Sequence, residues 1–339
     1  MNSNRWRVFL AALVLVLATA PALARREPAY DVVDLGTLGG SVSEAFGINA
    51  SGQVVGNAQD TSGVYRAFVY TGTAMSAPSV PGTQSTARAV DPSGAIAGYY
   101  YDGAYEGFSN PGGHVTDVGT LGGDYSVAYG MSSAGHVVGS SITATDDEHA
   151  FLWSNGVITD INAFGGEYSS ARGVNASGTA VGFSYLPNGA FHAFVRAGAV
   201  VTDLGTLGGD YSQANAINDA GQVVGEAYLA GNTKVHGFLW TGSGGLRDLG
   251  ELGAFYSMAM AVDSTATRIV GRAAVPNHTG YIVYHAFVYT AGRMQDLNKM
   301  IPRGTGWVLQ EATGVNDAGQ IAGTGTIHGQ THAFLLNPR

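Results

Sequence analysis

The stretch AFGINASGQVVG, Ala45–Gly56, decides the fold of this 339-residue chain, because close variants of it recur along the sequence. The six further copies are Ala87–Gly98, Ala128–Gly139, Ala171–Gly182, Ala214–Gly225, Ala259–Gly271 and Ala312–Gly323. The position of Asn49 returns after steps of 42, 41, 43, 43, 45 and 53 residues. A repeat with such a period indicates an array of similar supersecondary units rather than a single irregular domain.

Two shorter phrases accompany each copy. A third-strand triplet, usually His-Ala-Phe or His-Gly-Phe, follows it at Arg66–Phe68, Glu106–Phe108, His149–Phe151, His192–Phe194, His236–Phe238, His285–Phe287 and His332–Phe334. A linking phrase, DLGTLGG at Asp34–Gly40, returns at Asp117–Gly123 and Asp203–Gly209, with looser versions from Asp160, Asp248 and Asp296. The three phrases divide the chain into seven units in register.

Each unit carries four short strand signals and no sustained helical period. Asn-Asp-Ala-Gly and its relatives between the first two strands are typical of a hairpin turn, because Asn and Gly tolerate its backbone geometry. Four strands every 40 to 50 residues predict an all-β, seven-bladed β-propeller with the shared phenylalanine packed between blades. The alternative is an open β-solenoid, whose end repeats would need capping sequences that are not visible.

The two ends of the chain predict how the ring closes. The seventh unit ends at Leu336 without a fourth strand, whereas Tyr30–Leu35 precedes the first unit and has the form of one. Pairing this segment with the last repeat would close the ring and remove exposed strand edges. We therefore expect residues 25–339 to form a single propeller domain.

The first 24 residues have the pattern of a signal peptide. Arg5 and Arg7 precede the apolar run Val8–Ala20, and Ala22–Ala24 gives an A-x-A cleavage site. Cleavage after Ala24 predicts a secreted or periplasmic protein without a membrane span; an uncleaved anchor is the alternative. The chain has no cysteine, so its stability must come from its core and hydrogen bonds alone. The formal charge of −9 argues against a nucleic-acid partner, and a monomer is the expected state.

These phrases resemble the HAF repeat family of probable extracellular proteins. The resemblance rests on the His-Ala-Phe triplets at His149, His192, His285 and His332 and covers roughly residues 30 to 338. It departs from the family pattern at Arg66 and Glu106, where the histidine is replaced. The resemblance implies an extracellular repeat protein and assigns no molecular role.

Candidate ligand contacts follow the linking phrases. In a four-stranded blade, the link into the next blade and the loop between the second and third strands emerge on the same face. The links supply acids and aromatic residues suited to sugars, namely Asp124, Tyr125, Glu167, Tyr168, Asp210, Tyr211 and Tyr256. The alternative role of these tyrosines is packing between blades.

The remaining polar residues indicate no catalytic centre. The repeated histidines, one per unit, are expected to be hydrogen-bonded structural residues, and the acidic run Asp146–Glu148 is a weak calcium candidate. Few polar residues are expected to break the repeat symmetry. The sequence therefore predicts a non-enzymatic binding or structural propeller that recognises a carbohydrate or surface ligand. The alternative is an extracellular polysaccharide hydrolase or lyase with its site at the central channel.

Overall fold

The computed structural model of the protein describes residues 29–339, so the expected signal peptide and its cleavage site lie outside the described residues. Within this range the secondary structure consists of 28 β-strands and two three-residue 3-10 turns, Pro111–Gly113 and Leu297–Lys299, and it contains no α-helix. No helix in these residues is long and apolar enough to cross a membrane. The prediction of an all-β protein is confirmed.

The strands follow the sequence repeat, and each unit is numbered by its repeat. Unit 1 comprises β2 (Gly39–Ile48), β3 (Val54–Asp60), β4 (Tyr65–Tyr70) and β5 (Met75–Ser76), and unit 2 comprises β6 (Gln84–Val90), β7 (Ile96–Tyr101), β8 (Tyr105–Ser109) and β9 (Thr116–Asp117). Unit 3 comprises β10 (Gly122–Met131), β11 (Val137–Thr143), β12 (Glu148–Ser154) and β13 (Val157–Asp160), and unit 4 comprises β14 (Ser169–Val174), β15 (Ala180–Tyr185), β16 (Phe191–Ala197) and β17 (Val200–Asp203). Unit 5 comprises β18 (Gly208–Ile217), β19 (Val223–Leu229), β20 (Val235–Trp240) and β21 (Arg247–Asp248), and unit 6 comprises β22 (Ser257–Val262), β23 (Ile269–Pro276), β24 (Ile282–Thr290) and β25 (Arg293–Asp296). Unit 7 comprises β26 (Trp307–Val315), β27 (Ile321–Ile327), β28 (Gln330–Pro338) and, from the start of the described chain, β1 (Tyr30–Asp34).

Each unit is a four-stranded antiparallel sheet whose strands pair in chain order. One parallel pair, Phe191 opposite Tyr211, additionally links units 4 and 5. In unit 7 the outermost strand comes from the other end of the chain: β1 pairs with β28, with Tyr30 opposite Pro338 and Asp34 opposite Phe334. The predicted pairing of the first strand with the last repeat is therefore present.

The hydrophobic core lies between neighbouring units rather than inside one sheet. A representative cluster joins Val181, Ala193 and Leu204 of unit 4 to Val223 and Phe238 of unit 5. The phenylalanine of the third strand is fully buried in every unit, at Phe68, Phe108, Phe151, Phe194, Phe238, Phe287 and Phe334. Its predicted role as a packing residue between units is confirmed.

Buried serines on the first strands of units 1 to 6 connect each of these units to the one before it. Ser212 accepts a hydrogen bond from the backbone N–H of Ala193 at 2.8 Å and donates to the carbonyl of Gly205 at 2.6 Å. Ser43 makes the same pair of contacts to Ala333 and Gly36, at 2.9 and 2.5 Å. The boundary between units 7 and 1 thus uses the contacts of an internal boundary.

A β-bulge interrupts the first strand of every unit directly after its repeated alanine, as between Ala214 and Ala216. The bulge brings the first-strand backbone close to the glycine that ends each Gln-Val-Val-Gly phrase. A Cβ on Gly225 would overlap the carbonyl oxygen of Gln213, the residue before the repeated alanine. The equivalent glycine of every other unit meets the corresponding carbonyl oxygen of its own unit. This close approach requires glycine at that position.

Candidate binding site in the central channel

The residue that each bulge displaces from regular pairing lines one shared cavity, here called the central channel. These seven residues, one from each unit, are Phe46, Arg88, Tyr129, Arg172, Asn215, Met260 and Thr313. A bulge leaves its extra residue unpaired and re-aims the side chain, which explains why this position reaches the channel. The channel space at this level is about 220 Å³, and the adjoining space, which Gln213 and Met258 also line, is about 250 Å³.

One wall of the channel carries two arginines separated by an aromatic ring. The Arg172 guanidinium carbon lies 4.3 Å from the centre of the Tyr129 ring, and that of Arg88 lies 5.7 Å from it. The Arg88 guanidinium also stacks on Phe46, at 4.1 Å. Within residues 29–339 neither arginine forms a salt bridge, and the Nε atom of each is buried without a hydrogen-bond partner. Aromatic stacking therefore orients both guanidinium groups but leaves hydrogen-bonding capacity unused.

A buried acid, Glu226, lies among tyrosines next to Gln213, which lines the channel and contacts the same Tyr211 hydroxyl. Glu226 is only 6% exposed, and its Oε1 accepts a hydrogen bond from the Tyr211 hydroxyl at 2.7 Å. Its Oε2 has no hydrogen-bond partner among the described residues. Burial raises the pKa of the Glu226 carboxyl, although Tyr211 and Arg272 act in the opposite direction. Burial, together with Glu226, also raises the pKa of the hydroxyls of Tyr211 and Tyr256.

Most of the unpartnered polar atoms lie on the first two strands of the units, and those of Arg88 and Arg172 belong to residues that line the channel. Buried side-chain atoms without a hydrogen-bond partner occur in Asn57, Arg88, Ser109, Ser140, Ser170, Arg172, Glu226 and Arg272 among the described residues. All except Ser109 lie on the first or second strand of a unit, beside the repeated alanine or the repeated glycine. Because buried polar atoms are normally hydrogen-bonded, Arg88 and Arg172 are candidates for contact with water or a ligand in the channel.

The links between units and the second-to-third-strand loops share one face of the molecule, here called the loop face. The backbone N–H of Glu148 donates to the carbonyl of Glu167 at 3.2 Å, and Leu207 bridges to Leu229. Each of these contacts joins a link to a second-to-third-strand loop, as expected from the sequence. The first strands run from this face into the channel.

The predicted tyrosines are half-buried between strands and units. Tyr211 packs edge-on against Phe191 of the preceding unit, with 4.2 Å between the ring centres. Tyr125 packs in the same way against Tyr105, with 6.0 Å between the ring centres. The ring centres of Tyr168 and Phe183 are 5.6 Å apart, and those of Tyr256 and Tyr284 are 5.7 Å apart. The contacts of Tyr125 and Tyr211 cross a unit boundary, as the packing alternative expects, whereas those of Tyr168 and Tyr256 lie within their own units. The Tyr211 hydroxyl also donates to Glu226.

The predicted acids lie apart from the tyrosine rings. Asp124, Glu167 and Asp210 are exposed on three successive units of the loop face. Asp210 accepts a hydrogen bond from the Asn232 amide at 2.7 Å, which fixes a turn of its own unit. The structure therefore joins Tyr211 to an acid that the sequence analysis did not select, Glu226, rather than to its neighbour Asp210.

The repeated histidines have the expected hydrogen-bonded role. Nδ1 of His149 lies 2.8 Å from the carboxylate of Asp160, and the four other triplet histidines contact the corresponding linking aspartate, as in His332 with Asp34 at 2.9 Å. Across residues 29–339 no group of three or more His, Asp or Glu side chains is arranged to hold a metal ion. The acidic run Asp146–Glu148 forms part of a second-to-third-strand loop instead of a clustered ligand set.

The expectation that few polar residues break the repeat symmetry was wrong. The position after the repeated alanine changes from Phe46 to Arg88, Tyr129 and Arg172 in successive units. The position after the repeated glycine changes in the same way and includes Glu226. Variation at these two positions, flanked by nearly constant residues, was the signal that could have located the channel.

Solved structures similar to this chain identify the fold. A puromycin hydrolase S511A mutant complexed with PGG has a TM-score of 0.55 at 12% identity, covering 85% of this chain and 50% of that chain. TolB from Acinetobacter baumannii has a TM-score of 0.47 at 10% identity, covering 90% of this chain and 65% of that chain. The β-propeller domain of the Trilobed protease from Pyrococcus furiosus, described as having an open velcro topology, has a TM-score of 0.41 at 10% identity, covering 76% and 98%.

The chain has a β-propeller fold. It spans less than two thirds of the TolB chain and half of the hydrolase chain, and at these identities the likeness concerns the fold alone. No protein-family model and no curated protein matches the sequence.

Proposed function

We propose that the protein is a seven-bladed, ring-closed binding propeller whose ligand enters the central channel from the loop face. The unpartnered polar atoms of the inner strands carry this proposal, because buried donors and acceptors without partners cost stability unless something binds them. The serine contacts repeated between units 7 and 1 support closure of the ring.

The ligand class that best fits this surface is a carbohydrate or a glycan-bearing cell surface. Aromatic faces and charged hydrogen-bonding groups together suit sugar rings and their hydroxyls. The loop face also exposes two aromatic residues. Phe255, on the link into unit 6, is 50% exposed, and Tyr281, on the second-to-third-strand loop of unit 6, is 75% exposed. Exposed aromatic residues of this kind are typical of a recognition surface.

We also propose that the protein belongs with the HAF repeat proteins and acts outside the cytoplasm after cleavage behind Ala24. The A-x-A motif after an apolar run supports this assignment. N-terminal sequencing of exported protein should begin at Arg25, and a sequence that begins at Met1 would refute cleavage.

Blocking the channel tests the binding function without removing a hydrogen bond. Met260 lines the channel, so Met260→Trp fills it. Val157→Trp adds the same side chain at a 62% exposed position on an outer strand. On a glycan array, the parent and the outer variant should bind the same glycans, and the channel variant should lose them while keeping the parent's circular dichroism spectrum. Binding by a folded Met260→Trp protein at the parent's level would place the site elsewhere, and a parent protein that binds no glycan would contradict glycan recognition.

Glu226 favours a second candidate, an extracellular polysaccharide hydrolase or lyase. Its buried carboxyl has a raised pKa, and Tyr211 holds it beside the channel, which are properties of a general acid. Turnover of chromogenic glycosides or polysaccharides by the parent, lost in Glu226→Gln with the fold retained, would replace the binding function by this one. Absence of turnover with retained glycan binding would support the binding function.

A further inference from the structure

We propose that the channel binds the oxyanion group of an acidic ligand, a carboxylate or a phosphate, between Arg88 and Arg172. This inference rests on the proposed function of the channel and specifies the chemistry of its ligand. It depends on three features: the geometry of the two guanidinium groups, the absence of a salt bridge to either of them, and the acids on the neighbouring units.

The two arginines lie on either side of Tyr129, and aromatic stacking orients their guanidinium groups. They come from units 2 and 4, and Tyr129 comes from unit 3 between them. Stacking on Tyr129 and Phe46 restricts the guanidinium planes, and the Nε–H group of each arginine has no hydrogen-bond partner among the described residues. A planar guanidinium edge matches the two oxygens of a carboxylate or phosphate and can bind them by two parallel hydrogen bonds.

Neither arginine of this wall forms a salt bridge among the described residues. Arg272 is paired with Glu311 at 3.4 Å, whereas Arg88 and Arg172 have no salt-bridge partner among the described residues. Burial lowers the pKa of the Arg88 guanidinium, and the neighbouring Arg172 acts in the same direction, whereas Tyr99, Tyr129 and the more distant Glu311 oppose this shift. Two enclosed positive charges that disfavour each other are stabilised by an anion placed between them.

Acids from the other units limit the ligand to one acidic end. Burial and the nearby Glu311 raise the pKa of the Glu44 carboxyl, although Arg88 opposes this. Glu44 lies on unit 1, next to the unit of Arg88, and Glu226 lies on unit 5, next to the unit of Arg172. These carboxyls flank the two arginines around the ring and disfavour a second anionic group beside them. The space of about 250 Å³ is below the roughly 300–1,000 Å³ of pockets for drug-sized ligands. A single acidic sugar residue, with its carboxylate on the arginines and its hydroxyls toward the acids, has the required chemistry.

Calorimetric titration at constant ionic strength tests this inference with sodium glucuronate, glucose and inorganic phosphate as probes. The variants are Arg88→Gln and Arg172→Gln, and Arg303→Gln at an exposed position is the matched control. Glucuronate should bind the parent at least about tenfold more tightly than glucose. Each channel variant should weaken glucuronate binding at least about tenfold, because charge-assisted hydrogen bonds are lost, and the control should leave it unchanged. Phosphate that binds as tightly as glucuronate would identify a free oxyanion as the ligand, and weaker phosphate binding would identify the acidic sugar.

Three results would overturn the inference. They are equal affinity for glucose and glucuronate, unchanged glucuronate affinity in both folded channel variants, and no binding of either anion. A ligand-free measurement guards against a merely structural role: in dilute chloride buffer both channel variants should melt at or above the parent's temperature, since each loses an unneutralised charge. A fall of more than about 5 °C in both would assign the arginines to the fold and also overturn the inference. Neutral glycans that bind the parent and are blocked by Met260→Trp would leave the proposed function intact while this inference fails.

Discussion

Closure of the ring predicts that Ser43 is as important for stability as a serine at an internal boundary. Ser43 and Ser212 are both fully buried, and each connects the backbone N–H of the preceding unit's third strand to a linking carbonyl. Ser43→Ala removes the partner of the Ala333 N–H and of the Gly36 carbonyl, and Ser212→Ala does the same at the boundary between units 4 and 5. Ser41, an exposed residue of the same strand as Ser43, provides the control Ser41→Ala.

The expected loss follows from the two buried groups that each change leaves unpaired. At ~1–3 kcal/mol for each unpaired group, and less for a carbonyl with a second acceptor site, we expect ~2–4 kcal/mol per variant. With an unfolding entropy of ~2.1 cal/mol/K per residue over ~310 residues, this corresponds to a Tm lower by ~3–6 °C. The exposed control should change stability by less than ~0.5 kcal/mol.

Urea unfolding followed by circular dichroism, together with scanning calorimetry, gives the free energy of unfolding for the three variants. Losses that agree within ~1 kcal/mol for Ser43→Ala and Ser212→Ala support a closed ring. A normal loss for Ser212→Ala with none for Ser43→Ala would refute closure at the boundary between units 7 and 1. Losses near zero for both would refute the role given to the serine hydrogen bonds.

Three further predictions concern the repeat and the channel. Gly225→Ala should lower the free energy of unfolding by ~1–3 kcal/mol or prevent folding, because its Cβ overlaps the Gln213 carbonyl. Gly237→Ala is the control and should cost much less, because most other units have alanine there; urea unfolding compares the two variants. Burial raises the folded-state pKa of the Glu226 carboxyl. The contribution of this group to stability is therefore complete below its unfolded pKa of ~4.3 and is lost as pH rises through its folded pKa. The Tm measured against pH should show this decline in the parent and not in Glu226→Gln, and parallel profiles of the two proteins would contradict it. Changing Tyr125, Tyr168 and Tyr211 together to alanine should lower the Tm measured by calorimetry by more than 5 °C, since three half-buried rings are lost. An unchanged Tm would contradict their packing role and favour their role as ligand contacts.

The repeat made the scaffold predictable because its constant residues have constant structural roles. The burial of Phe238 and its equivalents, the turn after Asn218 and the pairing of Tyr30–Asp34 with the last repeat all follow from strand patterning and the need to cover sheet edges. The aspartate partners of the histidines could also have been predicted from the sequence, because His149 and Asp160 belong to the same unit and recur together.

The channel was not predictable in the same way, because its residues are separated by about 40 positions and meet only after the ring forms. Arg88, Tyr129 and Arg172 reach the channel through a bulge, and strict alternation along a strand does not predict the direction of a bulged residue. The tyrosines were selected for their position beside a loop, but that position also faces the neighbouring unit, as Tyr211 against Phe191 demonstrates.

The most direct test of the channel as the binding site is a crystal structure of the protein soaked with sodium glucuronate. We predict electron density for one sugar inside the channel, with its carboxylate between Arg88 and Arg172 and a ring face near Tyr129. Density confined to the outer strands, or to the groove between units 7 and 1 beside Tyr70, with the channel filled only by water, would contradict a ligand site in the channel.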